Sequence, residues 1–134
     1  MGMRAIDFAK AAGIAAVVLV AHLLLALAVV YAWSIFVEPG HDRAYYESAG
    51  IPFARIATRI VGTALIFLGC WWAARRNPQR NAVVFAVTVV VWYALLDGAS
   101  ISFQGFFSPG YGFTLLLKLV AAVTGALIAG RKSA

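Results

Sequence analysis

Three charged side chains stand inside apolar runs of this chain: Lys118 in the stretch from Gly110 to Gly130, Asp97 in the stretch before it, and Arg59 in the second stretch. A charge at such a place is costly and is usually functional or paired. Counted at 1.5 Å per helical residue from the nearest basic end, all three fall about 18 to 24 Å into a ~30 Å hydrocarbon core. They share one level. Asp97 and Lys118 can pair between successive helices and fix their register, which is the simplest account of both. That pair leaves Arg59, and Arg55 one turn away, without a carboxylate. Surplus positive charge in an apolar bundle calls for water or for an anionic group such as a carboxylate, a phosphate or a lipid headgroup.

Helical spacing indicates which way these groups point. Arg55, Arg59, Gly62, Ile66, Gly69 and Ala73 follow a 4-3-4-3-4 rhythm, so the arginines share a face with a stripe of small residues. Small residues mark close helix contacts in membranes. Tyr93, Asp97, Ser100 and Gln104 lie on one face of the third stretch, and Tyr111, Thr114, Lys118, Ala121 and Gly125 on one face of the fourth. The coincidence of polar and small residues predicts that these faces meet. The expected object is a net-positive, outward-facing vestibule lined by Arg55, Arg59, Tyr93, Asp97, Ser100, Gln104, Tyr111, Thr114 and Lys118. His22, on the first stretch, falls deeper than this layer.

The elements that must position these groups are apolar helices. Hydrophobic residues make up 63% of the 134-residue chain and charged ones 12%, about half of what a soluble domain carries. This composition reads as one integral membrane domain, with no room for a soluble one. Four apolar stretches, about 13–37, 51–74, 81–103 and 110–130, each have the roughly 20 residues needed to cross a bilayer as a helix. Turn residues separate them: Glu38-Pro39-Gly40, Asn77-Pro78-Gln79 and Ser108-Pro109-Gly110. An all-α, up-down-up-down bundle of four transmembrane helices is therefore expected. Arg4, Lys10, Arg75, Arg76, Arg80, Arg131 and Lys132 flank the spans on one side, which by the positive-inside rule places both termini in the cytoplasm. Asp42 to Ile51 is expected to form a short interfacial helix running into Pro52, roofing the vestibule.

Several motifs are excluded. The basic residues spread over three membrane-flanking ends and form no compact basic domain, so nucleic acid is not an expected partner. Cys70, the single cysteine, has no disulfide partner and reads as a packing residue. Glu38, His41, Asp42 and Glu47 are metal-ligand types, but they surround a turn and show no ligand spacing, so no metal site is assigned. Gly110-Tyr111-Gly112 opens a span and lacks the rest of a potassium filter.

The residues favour non-catalytic binding: a vestibule that holds or passes an anionic or amphiphilic small molecule, or binds a lipid headgroup, alone, as a homo-oligomer or within a larger membrane complex. The alanine, valine and arginine content suits a bacterial inner membrane. A membrane enzyme on a lipid or quinone would use Asp97 or His22 as acid or base, but no nucleophile stands beside a base. A structural accessory subunit is the third alternative. No cofactor is indicated. Length and helix count resemble those of small multidrug transporters, but His22 stands where that family places a central glutamate.

Overall fold

The computed structural model describes residues 3–104 and 110–132, less the side chains of 54, 57, 58, 100–104 and 132. The described residues form four helices and no strand: α1 (Ala5–Phe36), α2 (Arg43–Arg76), α3 (Ala82–Gln104) and α4 (Tyr111–Lys132). Three of them, α1, α3 and α4, are long and apolar enough to cross a membrane.

The distribution of side-chain size marks the chain as an integral membrane protein. Large apolar groups face outward: Leu27 is 66% exposed, Ile60 67%, Leu95 60% and Val120 57%. The interior is made largely of small residues, with Ala11, Ala15, Ala86, Ala122, Ala126 and Ala129 all buried. A water-soluble bundle reverses this order, because water drives large apolar groups inside. In lipid that drive between helices is missing, and close packing of small residues takes its place. Gly125 shows how close: a Cβ there would sit 2.6 Å from the Phe67 carbonyl oxygen of α2. Gly69 lies against Ile14 of α1, where a Cβ would meet the side chain at 3.0 Å.

The helices pack as α1 on α2, α2 on α4, α4 on α3 and α3 on α1, with α2 and α4 the most extensive pair. Among the described residues α1 and α4 do not pack on one another, and α2 and α3 touch only slightly. Helices adjacent in the chain are thus not uniformly neighbours in space. The deep α2–α4 contact follows from the matching small faces at Gly62 and Gly125.

Both long helices run past the apolar windows. α1 begins at Ala5, where the Arg4 amide donates to the Asp7 carboxylate at 3.0 Å. α2 begins at Arg43 because Asp42 caps it, accepting from the Tyr45 amide at 2.9 Å. Helix is therefore present over the segment expected to be helical, as the first turns of α2, continuous through Pro52. Its rings pack on α1: Trp33 stacks on Tyr45 at 6.0 Å between centroids and tilts against Phe53 at 5.5 Å. His41 stacks on Tyr45 at 3.9 Å. The Tyr45 hydroxyl donates to the Glu38 carboxylate, which holds the phenol protonated above its usual range. These contacts engage His41 and Glu38 within the connection itself.

At the opposite end Arg80 ties three helices together. Its Nη1 donates to Asp7 Oδ1 of α1 at 2.9 Å, its Nη2 to the Ala73 carbonyl of α2 at 3.1 Å, and its guanidinium lies 3.5 Å from the Phe85 ring centroid of α3.

Candidate functional site

Lys118 is wholly buried, as are Tyr93 and His22, and Asp97 and Thr114 are buried nearly as deeply. Each helix delivers its group by an inward rhythm of three and four. On α1 the buried positions are Asp7, Ala11, Ala15, Val18, His22 and Ala26. On α4 they are Thr114, Lys118, Ala122, Gly125, Ala126 and Ala129. The inward face of α4 thus runs through Ala122, with Ala121 half-buried beside it.

These groups meet where α2 has no side chain. A Cβ on Gly62 would lie 3.2 Å from Lys118 Cε, and 3.6 Å from both Lys118 Nζ and His22 Nδ1. Gly62 therefore gives the lysine room to cross toward α1, although α1 and α4 do not pack together. The ammonium sits 5.1 Å from the centroid of the Tyr93 ring, in cation–π range. The Tyr93 hydroxyl lies 3.4 Å from His22 Nδ1. Asp97 is near enough to Lys118 and to the Tyr111 hydroxyl to interact electrostatically with both. That hydroxyl also lies 3.4 Å from the Ala94 carbonyl oxygen and passes over Gly98. Thr114 donates to the Gly110 carbonyl at 3.1 Å, so its hydroxyl is engaged in the first turn of α4. Thr63, next to Gly62, buries a hydroxyl that has no partner among the described residues.

Of the residues expected to line a vestibule, the structure thus brings Tyr93, Asp97, Tyr111 and Lys118 near one another, and buries Thr114 one turn before Lys118. Arg55 and Arg59 are exposed and do not join them. A long cation facing outward can reach water or headgroups at low cost, whereas one buried beside Lys118 would add like-charge repulsion to desolvation. The small-residue stripe of α2 does turn inward, but only from Gly62 onward. The side chains of Ser100 and Gln104 lie outside the described residues.

His22 is a member of the group that depth and spacing did not assign to it, and Gly62, which spacing put on the inward face, proves to be the place where it meets Lys118. Depth counted from the start of the apolar run placed His22 too far from the charged layer. Lys118 closes the difference, because its four-carbon stem carries the ammonium about a helical turn from its own Cα. Two signals were present in the sequence: a histidine at an inward position of a small-residue face, and a glycine one turn from Arg59.

Cys70 is buried in the apolar core, as a packing residue should be. No family model matches the chain, and no match was found among curated proteins or solved structures.

Proposed function

We propose that the chain is a four-span, up-down-up-down protein of a bacterial inner membrane, both termini cytoplasmic, that binds or passes an anionic or amphiphilic small molecule without transforming it. Local pairings support the directions. Ile14 lies by Gly69 and Val30 by Gly50, so α1 and α2 run oppositely; Lys118 lies by Gly62 and Phe67 by Gly125, so α2 and α4 run alike. The Arg80–Asp7 ion pair joins the start of α1 to the α2–α3 connection, at the end where the basic residues gather.

One observation supports the ligand reading: Lys118, His22 and Tyr93, from three helices, converge beside the bare backbone of Gly62, with Asp97 and Tyr111 in electrostatic reach on the α3–α4 side. An interhelix lock needs only a lysine and an aspartate. The imidazole of His22 and the phenol of Tyr93 add polar groups beside the ammonium that a simple lock does not need. An anion entering from the Tyr111 end would compete with Asp97 for that ammonium. The exposed positions of Arg55 and Arg59 favour a second reading, in which Asp97 and Lys118 balance one another and only hold the bundle together.

Cysteine accessibility separates the two. In a Cys70→Ala background, Thr114→Cys should react with a membrane-impermeant maleimide added outside, and Ile66→Cys should not. Molecules that co-purify with the gently solubilised protein, identified by mass spectrometry, should then protect Thr114→Cys, and Lys118→Met should remove the protection. An inert Thr114→Cys would leave only the structural reading.

A further inference from the structure

A groove of about 830 Å³ runs between α1 and α2, at the end of the bundle away from Tyr111. Gly13, Val17, Ala21, Leu65, Leu68 and Trp72 supply its apolar walls, the exposed Lys10 and Arg76 stand at its mouth, and the nearly buried Arg80 also lines it. A second hollow of about 320 Å³ shares Lys10, Asn77 and Arg80 with it and adds Arg4 and Asp7. The two form one amphipathic depression, apolar along the helices and cationic at the membrane boundary.

Its size lies within the range of ~300–1,000 Å³ typical of sites for small ligands. The charge is one-sided: Arg4, Lys10, Arg76 and Arg80 face a single carboxylate, Asp7. The arginines are also held in place. Arg76 lies 4.9 Å from the centroid of the Trp72 ring on the groove wall. Arg80 has a side chain only 5% exposed, fixed by Asp7 and Ala73, and its Nε is buried with no acceptor among the described residues.

We propose that this depression is a binding site for one anionic phospholipid of the adjoining leaflet, an acyl chain lying in the α1–α2 groove and the phosphate headgroup held by Lys10 and Arg76. The chemistry selects this occupant over others. A free anion would use the cationic mouth and leave the apolar groove unfilled. A second copy of the chain, inserted in the same direction, would bring its own basic end against these cations. A zwitterionic lipid fills the groove but carries a positive group into the cationic mouth. The site stands apart from the Lys118 layer and shares no residue with it.

Native mass spectrometry of the full chain, released from detergent with equal phosphatidylglycerol and phosphatidylcholine of matched acyl chains, tests this. Phosphatidylglycerol should be retained preferentially. Lys10→Gln and Arg76→Gln should each lower its retention about fivefold, and the double variant about thirtyfold, as expected for removing cations near an anionic headgroup. Gly13→Leu should abolish retention by filling the groove, since nothing lies within 4 Å of a Cβ at that position. Val17→Trp, at a groove position 69% exposed, checks the same point if Gly13→Leu does not fold. Inorganic phosphate at matched ionic strength should not displace the lipid. Equal retention of the two lipids, displacement by phosphate alone, or undiminished binding in a folded groove-filled variant would each overturn the proposal. None of these variants should alter labelling at Thr114→Cys, so the outcome is separate from that of the core.

Discussion

Lys118 and Arg80 are both basic side chains with almost no exposed surface, 0% for Lys118 and 5% for the side chain of Arg80, yet their surroundings are built differently. Arg80 is satisfied in part by its own neighbourhood, through the Ala73 carbonyl seven residues earlier and the Phe85 ring five residues later, with Asp7 completing the set. Lys118 draws its surroundings from other helices: Tyr93 and Asp97 on α3, His22 on α1 and the gap at Gly62 on α2. A cation at the membrane boundary can be held by chain-local groups and the headgroup layer. One in the middle of a span depends on the whole bundle being assembled. The first arrangement leaves spare positive charge at a surface; the second leaves none that faces lipid.

Removing one core charge tests the contrast most strongly. Lys118→Met alone and Asp97→Asn alone should each lower stability in detergent by about 3 kcal/mol, because each leaves a buried partner uncompensated. The double variant should recover most of that loss, read from a double-mutant cycle of thermal unfolding. Simple additivity would mean that the two charges do not depend on each other, and the core would then resemble the boundary.

Two glycines on the two sides of the comparison give the next effect. Gly125→Ala drives a Cβ to 2.6 Å from a backbone oxygen of Phe67, which cannot swing away, and should cost about 2 kcal/mol by overpacking. Gly13→Ala, in open space on the groove wall, should instead raise stability slightly, by about 0.5 kcal/mol, read as a small rise in melting point, through its better helix propensity. A loss at Gly13 equal to that at Gly125 would mean the groove is packed shut.

Arg76→Gln should change stability by less than about 0.5 kcal/mol, as substitutions at exposed positions usually do, while weakening retention of anionic lipid. A large stability loss with no change in lipid would make the boundary arginines structural and erase the distinction from Lys118. The smallest effect belongs to the outer connection. Arg43 and Glu47 form an exposed i,i+4 pair at 2.6 Å, with side chains 91% and 62% exposed, and Arg43→Ala should cost about 0.3–0.5 kcal/mol in a melting curve at low salt.

Much of the architecture was legible beforehand, and the reason is the bilayer itself. A span must be helical and apolar over ~30 Å, so hydropathy alone located Tyr111–Lys132 and Ala82–Gln104 to within one or two residues. The ends of α1 and α2 were less visible. Hydropathy reports the hydrocarbon segment, whereas these helices continue into polar flanks that Asp7 and Asp42 cap. Periodicity put Tyr93 with Asp97, and Thr114 with Lys118, on faces that are buried, but it carried Arg55 and Arg59, which are exposed, inward with Gly62. Spacing describes one helix at a time and cannot say where along its length the neighbours stop.

The sequence by itself determined that this chain is helical and apolar, and that Lys118 and Asp97 would need surroundings unlike hydrocarbon. These follow from composition and a period of 3.6, which every helix carries in its own residues. Only the tertiary structure decided that α2 packs chiefly on α4, that His22 joins Lys118 across Gly62 while Arg59 stays outside, and that a groove with a cationic mouth opens between α1 and α2. Those outcomes depend on how close two backbones can come. That distance is set jointly by residues far apart in the chain, such as Gly125 and Phe67 or Gly69 and Ile14, and no single segment contains it.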